Sequence, residues 1–243
     1  MVKFNLVTLV LVAGCGFASA FVPEYIHICH RNDPEVAECI KNSVEALRPR
    51  LIQGIPELDV PGLDPLKIKK IVIFDGAQTP NLDASLSNVV AHGAGNFKIT
   101  TLKLDVEKKT YRVGVKIPSL QMEGDYDIDA KILVTPIKSK GHFHANATDI
   151  DGQALIQGDV NNNRFKFQSI AFKIKIGDFN LDMDNLLSDD PVLMQAARQL
   201  FNGNKQDLIS LATPYIERKC SEVLLDLSNK ITEKFTYDEA FPL

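Results

Sequence analysis

Two histidines on one short alternating stretch are the first side chains in this sequence that could bind a metal ion. His142 and His144 project to the same side of a predicted strand, and this spacing can bring two imidazoles to one ion. No third ligand can be placed beside them from the sequence, and their face is the polar one, opposite Phe143. We therefore interpret them as a solvated pair.

An acidic series, Asp125, Asp127 and Asp129, raises the same question for calcium. A calcium-binding loop needs a glycine at its turn and a closing glutamate at a fixed spacing, and this series lacks both. Alternating carboxylates are also what the solvent side of an antiparallel strand presents. We interpret the series as the wet face of a strand, and we predict no metal site and no cofactor.

Motifs that indicate an enzyme are missing. The sequence holds no serine in a G-x-S-x-G turn, no C-x-x-C pair and no glycine-rich phosphate loop. HGAG at residues 92–95 contains two glycines, but no strand, loop and helix surround it in the order that nucleotide binding requires. We predict that the protein is not an enzyme. Triad partners need not be neighbours in sequence, so a hydrolase without a recognisable motif stays an alternative.

The first twenty residues predict export. Lys3 precedes an apolar run, and small residues follow at 18–20, which is the layout of a cleavable secretory signal. We expect cleavage after Ala20 and a secreted, extracellular protein of residues 21–243. The run is too short and too interrupted by glycine for a good membrane span, and no later stretch offers about 18 uninterrupted apolar residues.

Export would place the remaining cysteines in an oxidising environment. Cys15 leaves with the signal, and Cys29 and Cys39 form the natural disulfide around a short loop. Cys220 is then unpaired, and we interpret it as a buried small apolar residue on a helix, with a reactive or intermolecular thiol as the alternative. Asn146, in the sequon N-A-T, is a predicted glycosylation site and would need a surface position.

Charge and length give no sign of several partner classes. The chain has 27 Lys and Arg against 31 Asp and Glu, a net charge of −4, without long blocks of like charge. This balance does not suggest a nucleic-acid partner or a polybasic membrane surface. No Ser- or Gly-rich linker divides the chain, so we predict that residues 21–243 form a single, monomeric domain.

Helical periodicity lies towards both ends of the mature chain. One Asp-Pro pair begins a predicted amphipathic helix over residues 33–51, and a second begins one over residues 190–203. A longer helix is predicted over residues 205–235, because one wide stripe of its surface stays apolar. Pro214 predicts a kink or a break near Thr213 in that helix.

The segment GIPELDVPGLDPL, residues 54–66, combines three prolines with five large apolar residues. Proline lacks the N–H that a helix interior or a central strand requires, whereas the apolar residues argue against a solvated linker. We predict an extended, stiff strap that crosses one end of the fold and joins the first helix to the sheet.

Between the helices the apolar period is two over a long distance, which predicts strands. The register slips at Thr100–Thr101 and at Ser169, as at a bulge. Charged residues occupy the opposite faces, so one side is wet and the other buried, which indicates an antiparallel sheet. Long strands with bulges predict a strongly curved sheet. The predicted runs are 97–106, 111–117, 120–134, 143–147 and 165–176.

Several motifs together resemble the insect takeout and haemolymph juvenile-hormone-binding-protein family. They are the cysteine pair flanking RNDPEVAE, the phrase LRPRLIQGIPELDVPGLDPLKI, GNFKIT and the stretch GDYDIDAKILVTPIKSKGHF. The resemblance implies an α+β fold in which a strongly curved antiparallel sheet wraps a long C-terminal helix. It also implies a short N-terminal helix pinned by the Cys29–Cys39 disulfide, and an internal apolar tunnel.

The resemblance implies a secreted carrier whose partner is a small hydrophobic ligand: a juvenile-hormone-like terpenoid, a fatty acid or another long-chain lipid. Haemolymph hormone carriers of this family have a second disulfide, whereas Cys220 has no mature partner here, so the takeout branch is favoured. The alternatives are a secreted lipid-ester hydrolase and a surface interaction protein with a filled core. Whether delivery involves a receptor stays open.

Ten residues are candidates for the tunnel wall, and most of them serve equally well as plain core. They are Val113, Val115, Ile117, Ile128, Ile132, Phe172, Ile174, Tyr215, Leu224 and Leu227.

Overall fold

Seven strands form one antiparallel sheet in the part of the chain that the structure describes. The computed structural model describes residues 22–76, 81–132, 135–184, 195, 199 and 203–243, without the side chains at 132, 135–137 and 208. The strands are β1 (Leu66–Phe74), β2 (Leu82–His92), β3 (Lys98–Asp105), β4 (Thr110–Ile132), β5 (Thr135–Asn161), β6 (Arg164–Lys175) and β7 (Asp178–Met183).

The two longest strands, β4 and β5, form the centre of the sheet and pair along their whole lengths. Because they are so long, each has two shorter neighbours on its outer side. The first half of β4 pairs with β3 and the second half with β2, and β1 extends the sheet beyond β2. The second half of β5 pairs with β6 and the first half with β7. The sheet therefore has a β3–β6 end and a β2–β7 end, each including the adjoining halves of β4 and β5.

The apolar positions of the central strands change parity where the two ends meet. In β4 they are odd-numbered over residues 111–117 and mainly even-numbered over residues 120–128. Pro118 of β4 and Asp149 of β5 face one another between these stretches, but they do not pair in the β4–β5 ladder. Asp149 has a φ of 50°. One unpaired residue in each strand, as in a bulge, allows both halves to turn their apolar side chains to the same side of the sheet.

Both register slips predicted from the sequence are confirmed. The pairing of β3 with β4 shifts between Ile99 and Thr101. The pairing of β5 with β6 shifts between Gln157 and Gly158, opposite residues 167–169. Extra residues of this kind increase local twist and bend the strand, so they contribute to the curvature of the sheet.

The first helix, α1 (Val36–Gln53), starts slightly later than the Asp-Pro pair predicts. The Asp33 carboxylate accepts a hydrogen bond of 2.8 Å from the Glu35 N–H, so it stabilises the turn that precedes the helix. The helix ends at Gly54, whose φ of 95° favours glycine.

The C-terminal part of the chain contains α2 (Lys205–Thr232) and the short α3 (Tyr237–Ala240). Of the predicted kink or break near Thr213, the break is wrong, because α2 continues through Pro214 as one helix, and the kink stays a prediction. Proline removes one backbone hydrogen bond, and the packing of α2 along β6 retains both halves in a single element. Most of the helix predicted over residues 190–203 lies outside the described residues.

A single helix, α2, packs against β6, β1 and β7. Since β1 and β6 lie at opposite edges of the sheet, the sheet must curve to bring both edges to this helix. In the described residues these edges do not pair with one another, so the sheet stays open. The predicted α+β fold, a strongly curved antiparallel sheet around a long C-terminal helix, is confirmed.

Polar side chains on one face of α2 bond to the backbone of the edge strand β6. They lie four and eight residues apart, so they project from the same side of the helix. An exposed strand edge is a site of unwanted pairing, and these side chains cover part of it. The bonds join Asn229 to Phe167 N and O at 2.9 and 3.0 Å, Ser221 to Phe172 N at 3.1 Å, and Glu217 to Ile174 N at 3.1 Å.

The segment over residues 54–66 is a compact turn rather than the extended strap predicted from its prolines. Ile55 and Val60 pair with one another around a short 3-10 turn, and Asp59 adopts a left-handed conformation with a φ of 55°. The fold of this segment lets its apolar residues meet in one place. These residues form a buried group, the turn cluster, of Val22, Ile55, Leu58, Val60 and Phe235.

Candidate ligand-binding site

The β3–β6 end of the sheet borders an open cavity of about 410 Å³. Strands β3 to β6 form one side, and α1, the segment before it, the end of α2 and α3 form the other. Most of the lining is aliphatic or aromatic. The lining residues are Val22, Ile26, His27, Cys29, Ile40, Ser43, Val44, Leu102, Leu104, Tyr111, Val113, Ile156, Phe165, Phe167, Ile231, Thr232, Phe235, Thr236, Tyr237, Ala240 and Phe241.

Four aromatic rings form a continuous part of the cavity wall. The Phe165 ring is central: its centroid lies 4.8 Å from that of Phe167, 5.7 Å from that of Tyr237 and 6.0 Å from that of Tyr111. A Cβ at Gly158 would overlap the Phe165 ring, so glycine at this position leaves room for the ring over β5. Residues from β4, β6 and α3 thus meet around one ring.

Two of these rings carry the hydroxyl groups of Tyr111 and Tyr237. Burial raises the pKa of Tyr111, and the neighbouring Tyr237 raises it further. The Tyr237 hydroxyl is buried and makes no hydrogen bond of ordinary geometry, but it lies near enough to the Tyr111 hydroxyl to interact with it.

Tyr237 is held in place by its own short helix. Thr236 and Glu239 form a capping box at the start of α3, in which each side chain bonds to the backbone of the other residue. The backbone N–H of Tyr237 donates to the Asn163 carbonyl at 2.8 Å. The Arg31 guanidinium lies 4.7 Å from the centroid of the Tyr237 ring. The ring is therefore fixed on both sides.

The C-terminal residues are fastened to the segment that precedes α1. Arg31 donates to Asp238 Oδ1 at 2.6 Å and to the Phe241 carbonyl at 3.0 Å. The His30 Nδ1 lies 2.7 Å from the Leu243 carbonyl oxygen. These contacts close one side of the cavity with polar bonds near the surface.

The predicted disulfide between Cys29 and Cys39 is confirmed. It ties the segment before α1 to the first turns of that helix. His27 and the two cysteines lie close enough to hold a metal ion, but the disulfide occupies both sulfur atoms. The disulfide therefore positions the cavity wall.

The remaining hydroxyls of the cavity wall are already engaged. The Ser43 hydroxyl donates to the His27 carbonyl at 2.9 Å, and the Thr232 hydroxyl donates to the Ser228 carbonyl at 3.1 Å. A hydroxyl that donates to a backbone carbonyl is not paired with a general base.

Of the ten residues predicted for the tunnel wall, the structure places Val113 in the lining of this cavity. Three others lie on β4 or β6: Val115 and Phe172 are the side chains next to Gly152, and the Ile174 N–H bonds to Glu217 of α2. For these, ligand contact stays a prediction.

The other six predicted wall residues lie elsewhere, and their contact with ligand also stays a prediction. Ile117 pairs with the buried Ile150, and Ile128 packs at the β2–β7 end. Tyr215 packs edge-on against Phe74, and Leu227 packs against the turn cluster. Leu224 is 37% exposed, and the Ile132 side chain lies outside the described residues.

The histidine pair and the acidic series face each other across β4 and β5. His142 Nδ1 lies 2.6 Å from Asp125 Oδ1, and His144 Nδ1 lies 3.8 Å from Glu123 Oε2. Lys140 and Lys138 approach the next two aspartates in the same way, at 2.7 and 2.6 Å. These side chains belong to a solvated cross-strand ladder.

Asn146 and Cys220 lie away from the cavity. Asn146 is half-buried on β5 between β4 and β7, and its Oδ1 accepts a hydrogen bond of 3.2 Å from Ser119. Its glycosylation stays a prediction. Cys220 is a half-buried free thiol on α2, and burial raises its pKa, which disfavours the reactive thiolate.

Sequence reasoning missed most of the cavity wall, especially α3 and the segment before α1. One signal was present: T-Y-D-E at residues 236–239 has the Thr-x-x-Glu spacing of a capping box, which predicts a helix start with Tyr237 in its first turn. The alternation of Phe165 and Phe167 indicated a buried face but not that it borders an empty space.

Among the described residues, none of the helices combines the length and the apolar character needed to cross a membrane.

The structure combines a curved sheet around a long helix with an open, mainly apolar cavity at one end. The model of the family called haemolymph juvenile hormone binding protein (JHBP) matches residues 6–242, and the chain belongs to this family. Its members are ligand-binding proteins rather than enzymes. The family resemblance drawn from the sequence motifs is confirmed.

Two curated relatives and one solved structure illustrate the match. The circadian clock-controlled protein daywake of Drosophila melanogaster is 24% identical over 245 residues, which cover 92% of this chain and 90% of that protein. Daywake of Drosophila yakuba is 26% identical over 208 residues, covering 78% and 77%. The crystal structure of Takeout 1 of Epiphyas postvittana superposes with a TM-score of 0.73 at 17% identity, covering 90% of this chain and all of that one, and it supports the fold alone.

Proposed function

We propose that the protein is a secreted carrier that binds a small hydrophobic molecule in the cavity of the β3–β6 end. The observation that carries this proposal is the cavity itself, about 410 Å³ in volume and lined mainly by aliphatic and aromatic side chains. Ligand pockets in proteins commonly measure about 300–1,000 Å³ and combine an apolar wall with a few polar groups. The cavity has both properties.

Removal of an apolar chain from water supplies enough free energy for useful binding. About ten buried methylene groups contribute roughly 8 kcal/mol at about 0.8 kcal/mol each. Association costs several kcal/mol or more of this in lost freedom of motion. Affinity can therefore come from burial, while the few polar groups of the wall serve selectivity.

Export fits this role, because an apolar molecule needs a carrier to travel through an aqueous extracellular fluid. The signal-like residues 1–20, with cleavage after Ala20, support secretion of residues 21–243. The Cys29–Cys39 disulfide also supports it, since disulfides persist in oxidising compartments.

A lipid-ester hydrolase remains the second candidate function only if an activated nucleophile borders the cavity. The lining residues that the structure describes include one serine, Ser43. Its hydroxyl donates to the His27 carbonyl rather than to an imidazole. This geometry favours binding over catalysis. Turnover of a long-chain ester by the purified protein would support the hydrolase instead.

Native mass spectrometry before and after organic extraction tests the carrier function directly. We expect the purified protein to carry a co-purified lipid, and we expect the extracted protein to bind a fluorescent apolar probe such as N-phenyl-1-naphthylamine. Absence of both bound lipid and displaceable probe would reject the proposal.

A matched pair of variants locates the site. Val113→Phe places a larger side chain in the cavity, and we expect it to weaken probe binding by tenfold or more, about 1.4 kcal/mol. Leu155→Phe is the control, because Leu155 lies at the same end of the sheet but is 37% exposed and does not line the cavity. An equal effect of both variants would place the ligand elsewhere.

A further inference from the structure

We propose that the outward side of the β3–β6 end is a docking surface for membranes that carry anionic lipids. We call this surface the basic face. Its six basic residues are Lys98, Lys103, Arg112, Lys116, Lys173 and Lys175. None of these six lines the cavity, which lies on the other side of the sheet, so the inference goes beyond the proposed carrier function and does not depend on it.

Strand pairing brings four of these cations together. In the ladder of β3 with β4, Lys98 lies opposite Lys116, and Lys103 lies opposite Arg112. Residues between them, including Val113, line the cavity, so the alternation of a strand turns the four cations to the outside. Like charges that lie directly opposite one another destabilise a sheet. Folding alone does not favour this arrangement, whereas an anionic partner would.

Much of this positive charge has no counter-ion within the ranges that the structure describes. Lys98, Lys103 and Arg112 are exposed, and they form no ion pair with any described residue. Their charges are therefore available to an anionic partner.

Three carboxylates offset part of the charge of the basic face. Lys116 Nζ lies 3.6 Å from Asp149 Oδ1, and Lys173 Nζ lies 2.7 Å from Glu217 Oε2. Asp151 lies opposite Lys116 in the ladder of β4 with β5. Six basic residues minus three carboxylates leave an excess of three positive charges. The Lys173 side chain stays 78% exposed despite its ion pair, so it can still reach a partner.

The other half of β4 carries the opposite charge on the same side of the sheet. Glu123, Asp125, Asp127 and Asp129 project outward at the β2–β7 end, and two of them pair with lysines of β5. The nearly balanced charge of the sequence therefore hides a separation of charge across the fold. An anionic surface would attract the basic face more than the β2–β7 end, and this difference would orient the protein as it docks.

An exposed apolar side chain within the basic face favours a membrane over other polyanions. Leu155 lies opposite Arg112 on one side and opposite Ala171 on the other, and it is 37% exposed. At a lipid surface, basic side chains contact the anionic headgroups while apolar side chains enter the boundary of the hydrocarbon region. A sulfated polysaccharide would contact the cations but would offer no apolar layer to the leucine.

Cosedimentation of the purified protein with lipid vesicles tests the docking. We expect vesicles of phosphatidylcholine with phosphatidylserine to bind the protein at least tenfold more tightly than vesicles of phosphatidylcholine alone. Raising the salt concentration from about 0.1 M to about 1 M shortens the Debye length from about 10 Å to about 3 Å. This change should release most of the bound protein.

A matched pair of double variants locates the docking surface. A basic side chain near an anionic membrane contributes roughly fivefold to affinity, so Lys103→Gln with Arg112→Gln should weaken vesicle binding about twentyfold. Lys138→Gln with Lys140→Gln is the control, because it changes the net charge equally but lies on the outward side of the β2–β7 end. We expect it to change the affinity by less than about threefold.

Insertion of the leucine has a separate readout, because the sequence contains no tryptophan. Leu155→Trp introduces a single fluorophore whose emission should move to shorter wavelength when phosphatidylserine vesicles are added. Val72→Trp places the same fluorophore at an exposed apolar position of β1, at the other end of the sheet, and its emission should not move.

Absence of binding to phosphatidylserine vesicles, or an equal loss of affinity in both double variants, would overturn the inference. Binding of heparin without binding of vesicles would also overturn it and would assign the basic face to a sulfated polysaccharide. An unmoved Leu155→Trp emission on bound vesicles would contradict insertion. The apolar probe reports on the cavity separately, so the carrier function can fail or hold whatever these experiments show.

Discussion

The two ends of the sheet differ in how their apolar faces are covered. At the β2–β7 end, Val89, Tyr126, Phe143, Ala145 and Met183 pack against one another as a buried core, and the groove of about 510 Å³ at this end has a mixed polar and apolar lining. At the β3–β6 end, the same pair of central strands borders a cavity. The difference does not arise from strand composition alone, because both ends present apolar residues of β4 and β5 to the same side.

The covering elements explain the difference. Core residues at the β2–β7 end come from strands that are paired by ladder hydrogen bonds, including β2 and β7. The cover of the cavity is instead made largely of α1, the segment before it and α3, which are joined by side-chain bonds such as that of Arg31 to Asp238. A cover fastened by surface contacts can leave space beneath it and can open more easily than a ladder.

The largest expected difference between the ends concerns truncation of one phenylalanine in each. Phe143→Ala creates a new void in a filled core, since Phe143 is only 3% exposed, and should lower the free energy of unfolding by about 3–5 kcal/mol. Phe167→Ala enlarges a space that already exists, so less packing is lost and we expect less than about half that cost.

Urea unfolding of both variants, monitored by far-UV circular dichroism, measures this contrast. The slope of the free energy against denaturant should stay the same in both variants, because neither changes the surface exposed by much. Equal destabilisation would mean that the β3–β6 end is packed as tightly as the other and that the cavity does not persist in solution.

A smaller effect, of opposite sign at the two ends, is expected for the two tyrosines. Tyr126→Phe removes the donor to the Asp184 carbonyl and should cost about 1–3 kcal/mol. Tyr237→Phe removes a buried hydroxyl that makes no hydrogen bond of ordinary geometry, so the ligand-free protein should be equally stable or slightly more stable.

Thermal unfolding of lipid-extracted protein compares the two tyrosine variants under equal conditions. Extraction matters, because a bound ligand would stabilise the folded protein. If Tyr237→Phe destabilises the extracted protein as much as Tyr126→Phe does, the Tyr237 hydroxyl has a structural partner and the contrast between the ends is lost.

The sequence predicted the sheet, its bulges and the disulfide better than it predicted the cavity. Alternation shows which face of a strand is buried, and the slips at Thr100–Thr101 and Ser169 interrupt that alternation directly. Whether a buried face meets side chains or an empty space depends on what lies opposite. Tyr111, Phe165 and Tyr237 come together from distant parts of the chain, and no local pattern reports this.

The two errors of local prediction have a common cause. Prolines predicted an extended strap over residues 54–66 and a kink or a break near Thr213, of which the strap and the break are wrong; both predictions assumed that the backbone donor removed by proline decides the local structure. In the structure, burial of Ile55, Leu58 and Val60 favours a compact turn, and packing along β6 retains α2 as one helix. Tertiary packing overrode the local preference at both places, as it commonly does for intrinsic propensities.

The smallest expected effect concerns the carboxylate that caps α3, because it acts only on the cover of the cavity. The Thr236 N–H, and next its hydroxyl, hold the pKa of Glu239 below its ordinary value of 4.5. A carboxylate with a lowered pKa stabilises the fold fully above its unfolded value and loses this contribution as pH falls through its folded value. Glu239→Gln should therefore lower the melting temperature slightly at pH 7, and the gap to the wild type should close below about pH 4.5.

Melting temperatures from pH 7 to pH 3 measure this gap, and Thr236→Val provides the comparison. That variant loses the hydroxyl but keeps the backbone N–H that contributes most to the lowered pKa, so most of the pH dependence assigned to Glu239 should remain. A gap for Glu239→Gln that stays constant down to pH 3 would mean that its charge does not fasten α3. If the gap closes and probe binding depends more strongly on pH in the wild type than in Glu239→Gln, then the Glu239 carboxylate helps to hold the cover of the cavity in place. None of the five buried core residues at the β2–β7 end is a carboxylate. The packing of that end should therefore not depend on the protonation of Glu239.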